Sequence, residues 1–262
     1  MSPEAISNPV LTWPHYGTRA VGAVSAHGPI HTILRGFWMN LRNVQPLGHR
    51  FTAAERRLIV RLATPLKVQR YLNRLPYNTE PDGDTLRSFR QVVRHRTAHC
   101  LEAALFAACV LEQHGYPPLL LGLESIDLLD HVIFVYRHRG KWGSVARSRD
   151  PGLHGRKPVF RSPRALAESY FDPYIDHTGM VKGYSVVSLD VMGGYDWRFA
   201  RRNIWAVENM LLKLPSRKIK RSRARVRKER EKYRLYREQN DDKKPLYYRG
   251  REKWKEIPRE FL

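Results

Sequence analysis

Apolar and polar positions in the N-terminal half of the chain alternate with the period of an α-helix. From Ala98 to Gly115, apolar residues recur at three- and four-residue steps, and this spacing predicts a helix that ends at the glycine. Earlier in the chain, Thr52 and Glu55 have the spacing of a capping box, which predicts a helix from there to about Ala63. Two further helices are predicted between these, over residues 65–73 and 86–93.

After Gly115 the pattern changes to short runs of apolar, β-branched and aromatic residues, which favour strands. The strands predicted from these runs cover residues 118–123, 131–136, 141–146 and 184–189. Ser162 and Pro163 are typical of a helix start and predict a helix from 164 to about 171, and Asp196 is expected to cap a last helix over 197–212. Helices followed by an antiparallel sheet with a helix packed on it predict the α+β fold class.

Composition divides the chain into three parts. We assign residues 1–50 to an N-terminal extension, residues 51–212 to a globular domain and residues 213–262 to a basic C-terminal tail. The formal net charge is +22, and the tail contributes +12 of it, with 20 Lys and Arg against 8 Asp and Glu. Such a charge predicts attraction to nucleic acid or another polyanion, and it says nothing about the fold.

The tail has helical propensity from Arg217 to Glu238 but almost no apolar stripe with which to pack a core of its own. We expect either a solvated helix or a disordered arm that orders on a polyanion. Its cations could neutralise phosphates while interleaved aromatics stack on unpaired bases. These aromatics are Tyr233, Tyr236, Tyr247, Tyr248 and Trp254. The alternative is a solvated extension that binds polyanions only loosely.

The chain contains two cysteines, Cys100 and Cys109. Nine helical residues place them about 13 Å apart on different faces, too far for a disulfide, and unpaired thiols suit a reducing compartment. The sequence has no apolar run near the ~20 residues of a membrane span and no secretory signal pattern. We therefore predict a soluble cytoplasmic protein. The sequence also has no metal-ligand spacing and no phosphate-binding glycine loop, so we expect neither a metal nor a cofactor.

Cys100 is the candidate nucleophile, because unpaired N–H groups and the helix dipole favour a thiolate in the first turn of a helix. His131 opens a predicted strand and could accept the thiol proton. A third group on the next strand, between Ser144 and Asp150, would then fix the imidazole tautomer. The alternative is that Cys100 is a small buried hydrophobe, which is the role expected of Cys109.

Residues next to Cys100 carry further charge. The segment Arg94-His-Arg-Thr-Ala-His99 is cationic, and it could lower the thiol pKa, bind an anionic substrate or be surface charge only. We interpret His99 itself as loop scaffolding. The backbone N–H of Cys100 is one expected donor of an oxyanion hole.

Four short segments follow one another as a cysteine helix, a Gly-Tyr-Pro break, a histidine-led strand and a Gly-x-Trp hairpin. They are His99-Cys100-Leu-Glu-Ala-Ala-Leu, Gly115-Tyr-Pro-Pro-Leu-Leu-Leu, Asp130-His131-Val-Ile and Gly140-Lys-Trp-Gly. Together they resemble the transglutaminase-like superfamily, whose core is a papain-like cysteine-hydrolase fold. The resemblance runs from about residue 64 to residue 174, and it implies that Cys100 and His131 are a catalytic pair.

The third catalytic residue of that family is usually an aspartate four positions after the hairpin tryptophan, which falls on Ala146 in this chain. Alanine cannot orient an imidazole, so Asp150, the nearest carboxylate, is the candidate for this role. Ser144, Ser148 and Asp130 are the alternatives. Asp150 could also be a surface ion-pair partner of a neighbouring arginine.

These observations predict a transglutaminase-like cysteine hydrolase or acyltransferase. It would act on a peptide or side-chain amide through a Cys100 thioester, without a cofactor. The alternative prediction is a catalytically inactive transglutaminase-like scaffold that binds nucleic acid or another polyanion through residues 213–262. The two are compatible, since a basic tail can tether an enzyme.

Overall fold

The computed structural model describes residues 50–124, 131–148, 151–171, 181–220 and 222–239. All of them belong to the unit Pro46–Leu262, one of two into which the chain divides. The candidate residues Asp130 and Asp150 lie outside the described residues, as does nearly all of the N-terminal extension. The division into an extension, a globular domain and a tail stays a prediction.

The helices of the described part are α1 (Ala53–Arg61), α2 (Pro65–Arg74), α3 (Phe89–His95), α4 (Cys100–Glu112), α5 (Pro163–Glu168), α6 (Trp205–Leu212) and α7 (Arg223–Gln239). The first three and α5 begin with a Ser or Thr side-chain cap. The Thr52 hydroxyl accepts the backbone N–H of Glu55, and the Glu55 carboxylate accepts that of Thr52 at 2.8 Å. The predicted capping box is therefore confirmed. An N-cap of this kind stabilises a helix by about 1 kcal/mol.

The strands of the described part form one antiparallel sheet. They are β1 (Leu119–Glu124), β2 (His131–His138), β3 (Lys141–Val145), β4 (Arg156–Phe160), β5 (Gly183–Ser188) and β6 (Arg217–Lys218), in the spatial order β4-β3-β2-β1-β5-β6. In the middle of the sheet, Leu121 of β1 lies between Ile133 of β2 and Val186 of β5. Arg139 and Gly140 join β2 to β3 with φ of 46° and 77°, as a tight hairpin turn requires. The architecture is α+β, as predicted.

The helix α4 is the centre of the core, and every residue in it after Cys100 is buried. It lies against β2, and α2 and α3 also pack on it. Phe106 sits between the rings of Tyr71 on α2 and Phe89 on α3, with both centroid distances 5.3 Å. Burial of one such side chain stabilises the fold by about 1.5–3 kcal/mol. These contacts fix the helix and therefore the position of its first residue.

The end of α4 also matches the sequence pattern. Gly115 has a φ of 80°, which a glycine adopts without strain. The backbone N–H of Tyr116 then donates to the Leu111 carbonyl at 3.1 Å and turns the chain towards β1. The predicted stop at Gly115 is confirmed.

The helix predicted over 86–93 begins later than expected, at the first residue of α3. Ser88 caps that helix by accepting the backbone N–H of Gln91. Before the cap, the backbone N–H of Leu86 donates to the side chain of Asn203 at 3.1 Å, a partner that is 117 residues away in the chain. The boundary is set by tertiary contacts, which a local pattern cannot show.

The helix predicted over 197–212 is wrong for its first half, because α6 begins only at Trp205. Asp196 does accept the backbone N–H of Phe199 at 3.0 Å, as expected of a cap. However, the Ala200 carbonyl accepts the Ser88 hydroxyl at 2.7 Å. This contact ties the segment to the start of α3, and the helix begins only after it, at Trp205.

Two elements lie outside the predicted strand and helix pattern. The strand β4 was not predicted, because Pro158 stands within it and its pairing with β3 is irregular. In the tail, β6 pairs with β5 before α7 begins. Within the described ranges, no helix is long and apolar enough to cross a membrane.

Candidate active site

The start of α4 carries the predicted nucleophile. Cys100 is the first residue of the helix, and His99 is its N-cap. Cys100 is partly exposed, whereas Cys109 on the same helix is fully buried in the core, as predicted. Within this helix, Cys100 is therefore the cysteine that is exposed to solvent.

The structure brings His131 to Cys100, although 31 positions of sequence separate them. His131 is the first residue of β2 and is only 2% exposed. Its ring lies close enough to the Cys100 thiol to interact with it and lower its pKa. The pair thus joins the N-terminus of the central helix to the start of a central strand, two elements that the core packing holds rigidly.

The tautomer of His131 follows from its second hydrogen bond. Its Nε2 lies 2.9 Å from the carbonyl oxygen of Leu153. A carbonyl can only accept, so Nε2 carries a hydrogen and Nδ1 is the nitrogen left for the Cys100 thiol. This is the arrangement that a general base beside a thiol needs.

A second histidine contacts the same thiol. The His99 ring interacts with the Cys100 thiol, and its Nε2 lies 3.0 Å from the Thr85 carbonyl oxygen. The carboxylate oxygens of Glu102 and Glu80 lie 3.6 and 3.8 Å from that nitrogen. Burial disfavours the charged ring, but the bond to Cys100 and the charge of Glu102 raise the pKa of His99 to about 9. His99 is therefore a cation at neutral pH.

Glu102 holds this side of the site together. Its carboxylate is completely buried and accepts the backbone N–H groups of His99 and Arg87, both at 3.0 Å. It also accepts the Asn78 amide at 3.0 Å and the Thr85 hydroxyl at 3.1 Å. These four donors satisfy a buried carboxylate and fix the loop before α3 against the start of α4.

The electrostatics favour a thiolate at Cys100. Burial alone would raise the pKa of the thiol, but the hydrogen bonds of His131 and His99 and the charges of the two rings lower it to about 5. The pKa lowering is thus due chiefly to two histidines and not to the arginines of the preceding segment. Arg94 and Arg96 are exposed on the surface. At neutral pH the group is in its nucleophilic form.

Acidic side chains lie on the His99 side of the thiol. Burial raises the pKa of Glu208, as do the charges of Asp84, Glu80 and Cys100, while His99 lowers it. Of these carboxylates, Glu208 lies close enough to Cys100 to interact with its charge. In a chain of net charge +22, the surroundings of the nucleophile are locally acidic on this side.

The candidates for the third position have different places in the structure. Asp150 and Asp130 lie outside the described residues. The Ser144 hydroxyl is 2.7 Å from the Tyr170 hydroxyl and accepts the backbone N–H of Arg156 at 2.9 Å. Among the described residues, the group that bonds His131 Nε2 is the backbone carbonyl of Leu153.

Sequence reasoning missed the roles of His99 and Glu102. Glu102 stands three positions after the N-cap, the same spacing that identified the capping box at Thr52, so this signal was present in the sequence. The contact between the His99 ring and the thiol had no such signal. The carbonyl of Leu153 could not be found either, because every residue has a carbonyl.

No group of three or more His, Cys, Asp or Glu in the described ranges is arranged to hold a metal ion. In comparisons with known proteins, the chain matches no protein-family model and no curated protein. The case for a function therefore rests on the geometry around Cys100.

Proposed function

We propose that this chain is a cysteine-dependent acyl-transfer enzyme, a hydrolase or acyltransferase of the transglutaminase-like type, acting on a peptide or side-chain amide. One observation carries the proposal: a partly exposed cysteine at a helix N-terminus lies beside the His131 ring, which lowers its thiol pKa, and a carbonyl fixes the tautomer of that ring. Nucleophile, base and orienting group are the parts that thiol acyl transfer requires.

In the first half of the reaction, His131 already holds the thiol proton, and the Cys100 thiolate attacks the amide carbon. A C–S bond forms, and negative charge develops on the carbonyl oxygen. The backbone N–H of Cys100, at the start of α4, can donate to that oxygen. His131 then protonates the amine nitrogen, the C–N bond breaks, and a thioester and a free amine result.

In the second half, water or an amine attacks the thioester. His131 accepts the proton of the attacking group, the C–S bond breaks, and the carboxylic acid or the new amide leaves. The sulfur departs as a thiolate, which the charge of the His99 ring stabilises. The two histidines thus have separate roles, with His131 moving the proton and His99 supplying a fixed charge.

The order of elements supports the resemblance to the transglutaminase-like superfamily. The cysteine helix, the histidine-led strand and the Gly-x-Trp hairpin follow in the chain as α4, β2 and the turn into β3. All three belong to one α+β unit, with α4 packed against β2. The arrangement agrees with a papain-like core, which stays part of this proposal.

The proposal is tested by the pH dependence of Cys100 alkylation by iodoacetamide, in a Cys109→Ala background and followed by mass spectrometry. We expect an apparent thiol pKa near 5. In His131→Ala it should move towards the ~8.5 of an ordinary cysteine. A thiol with an ordinary pKa in the parent protein would contradict the proposal. A reactive thiol would justify a screen of peptide and side-chain amides.

A second candidate function, binding of nucleic acid or another polyanion, is favoured by the helix α7. Its side chains Arg223, Arg227 and Lys228 are exposed. The helices α1 and α2 add further exposed cations. Every exposed charged side chain between residues 53 and 76 is Arg or Lys. Cationic groups on exposed helices can neutralise phosphates.

This second function is tested by titrating single-stranded RNA binding against salt. Affinity should fall steeply with salt and survive Cys100→Ala. Changing Arg223, Arg227 and Lys228 together to Gln should reduce the salt slope by about 2, since each phosphate contact contributes about 0.7 on a single strand. An affinity that does not respond to salt would rule out this function.

A further inference from the structure

The orienting group of His131 is a backbone atom, so something must hold that backbone in place. Leu153 ends the short 3₁₀ turn Pro151–Leu153, between β3 and β4, and is 3% exposed. A loop carbonyl has no rotamer of its own, and its direction depends on the peptide groups on either side. The position of this turn therefore decides whether His131 is oriented.

Arg156 binds the peptide groups that flank Leu153. Its guanidinium donates from Nη2 to the Gly152 carbonyl at 2.6 Å and from Nη1 to the His154 carbonyl at 2.7 Å. These carbonyls stand immediately before and after that of Leu153. A planar group with donors in a fixed fork can hold two carbonyls at once, which a flexible ammonium does less well.

The same guanidinium also packs on the wall of the histidine site. Its carbon lies 4.2 Å from the ring centre of Tyr170, and that ring meets the His131 ring edge to face at 5.9 Å. The Tyr170 hydroxyl donates to the His154 carbonyl at 3.0 Å. Arg156 thus touches both the turn that presents the acceptor and the aromatic ring beside the imidazole.

Burial makes this arrangement specific. Arg156 is 2% exposed, and removing a guanidinium from water is costly. An apolar side chain could fill the space without that cost, but it could not donate to two carbonyls. The position therefore calls for a buried cation with forked donors.

We propose that Arg156 is the positioning residue of the site, which holds the turn 152–154 so that the Leu153 carbonyl orients His131 in the place of a side-chain carboxylate. This inference rests on the proposed function. It implies that the site is complete without Asp150. It also explains how the chain can have alanine at position 146, where the transglutaminase-like pattern has an aspartate.

The test measures the apparent pKa of the Cys100 thiol by alkylation, with all variants in a Cys109→Ala background. We expect Arg156→Met to raise the thiol pKa and to lower the alkylation rate at pH 6 by about tenfold, the effect typical of losing an orienting partner. Arg156→Lys should restore part of the rate. Asp150→Asn and Arg161→Met, an exposed cation just after β4, should leave it unchanged.

Two outcomes separate this inference from the proposed function. An ordinary thiol pKa in the parent protein would overturn both. A reactive parent thiol that Arg156→Met leaves unchanged, or one that Asp150→Asn disables, would overturn the role of Arg156 and Leu153 alone.

A second measurement applies if Arg156→Met does not fold. In Cys100→Ala with ¹⁵N-labelled histidine, NMR reads the tautomer of His131 at a pH where the ring is neutral. We expect the Nε2–H form of His131 in Cys100→Ala. Adding Tyr170→Phe should give a mixture of tautomers, because it removes one hydrogen bond to the turn. The Nδ1–H form in Cys100→Ala would overturn the inference.

Discussion

The two ends of α4 carry the same chemical group and give it opposite properties. Cys100 is partly exposed and Cys109 is fully buried, yet at both positions the loss of solvent around the sulfur by itself raises the thiol pKa. At Cys100 the two histidines more than reverse this effect and lower the pKa to about 5. At Cys109 the pKa stays raised. Desolvation therefore raises the pKa of both thiols, and the neighbouring side chains decide which of them becomes a thiolate.

The C-terminal end of α4, near Cys109, also carries buried charges, but they are paired with each other. Glu112 there forms an ion pair with Arg198, with bonds of 2.7 and 2.5 Å, and Arg198 stacks on Trp197 at 4.0 Å. The carboxylate of Glu112 raises the Cys109 pKa after burial has done so, and Arg198 opposes it. At the C-terminal end of α4, Glu112 and Arg198 pair chiefly with each other. At the N-terminal end, the two histidines lower the pKa of the Cys100 thiol.

The largest effect should come from removing each sulfur in turn. Acylation by p-nitrophenyl acetate, an activated ester, would be followed as a burst of nitrophenol. We expect Cys100→Ala to lower its rate by about 10⁴-fold or more, as loss of a nucleophile does. Cys109→Ala should stay within about twofold, with a small loss of stability from the cavity. Comparable losses in both variants would end the contrast between the two thiols.

Removal of His131 should have the next largest effect. We expect His131→Ala to slow turnover by about 10²–10⁴-fold, because proton transfer to and from the reacting groups is lost. The matched control is a substitution of His114, which follows the C-terminal end of α4. Its ring is hydrogen-bonded to the carbonyl of Ile59 on α1. A His114→Ala variant as slow as His131→Ala would show that the loss is merely structural.

The two buried glutamates of α4 provide a smaller and sharper comparison. Glu102→Gln should cost about 1–3 kcal/mol of folding free energy, because the new NH₂ group faces N–H or O–H donors. It should also raise the Cys100 pKa, since His99 loses a nearby negative charge. Glu112→Gln should lower stability without changing the Cys100 pKa. Denaturant unfolding measures the stability, and the pH profile of alkylation measures the thiol pKa. Equal changes of the Cys100 pKa in the two variants would contradict the role assigned to Glu102.

The smallest predicted effect is a pH dependence of stability. The pKa of His99 is raised above that of a free histidine, so its contribution is fully present below about pH 6.5 and is lost as pH rises through about 9. The Cys100 pKa is lowered to about 5, so its contribution appears as pH rises above that value. Between pH 6.5 and 9.5 these two contributions oppose each other in the parent protein, so its stability should fall relative to that of His99→Asn, which keeps only the Cys100 contribution. Parallel curves would contradict this.

The sequence predicted what depends on local spacing and missed what depends on distant contacts. The capping box at Thr52, the stop at Gly115 and the β2–β3 hairpin were all found, because each is encoded in a few adjacent residues. The pairing of His99 with Cys100 was not. It depends on the loop that carries Thr85, which the bridge between Tyr77 and Ala98 brings to the helix start.

The group that orients His131 shows a stricter limit on what can be predicted from sequence. A search for side chains led to Asp150, because carboxylates are visible in a sequence. The atom that bonds His131 is the carbonyl oxygen of Leu153, and its presence does not depend on which residue occupies that position. Only its direction is encoded, through the turn and through Arg156.

A backbone acceptor has a consequence for how such sites are altered and recognised. No single substitution deletes a carbonyl, so this member of the site cannot be lost by point mutation in the way an aspartate can. It can be lost only indirectly, by a change that moves the turn. A survey that compares residue identities at three fixed positions would therefore count this site as incomplete, while its hydrogen-bond geometry remains whole.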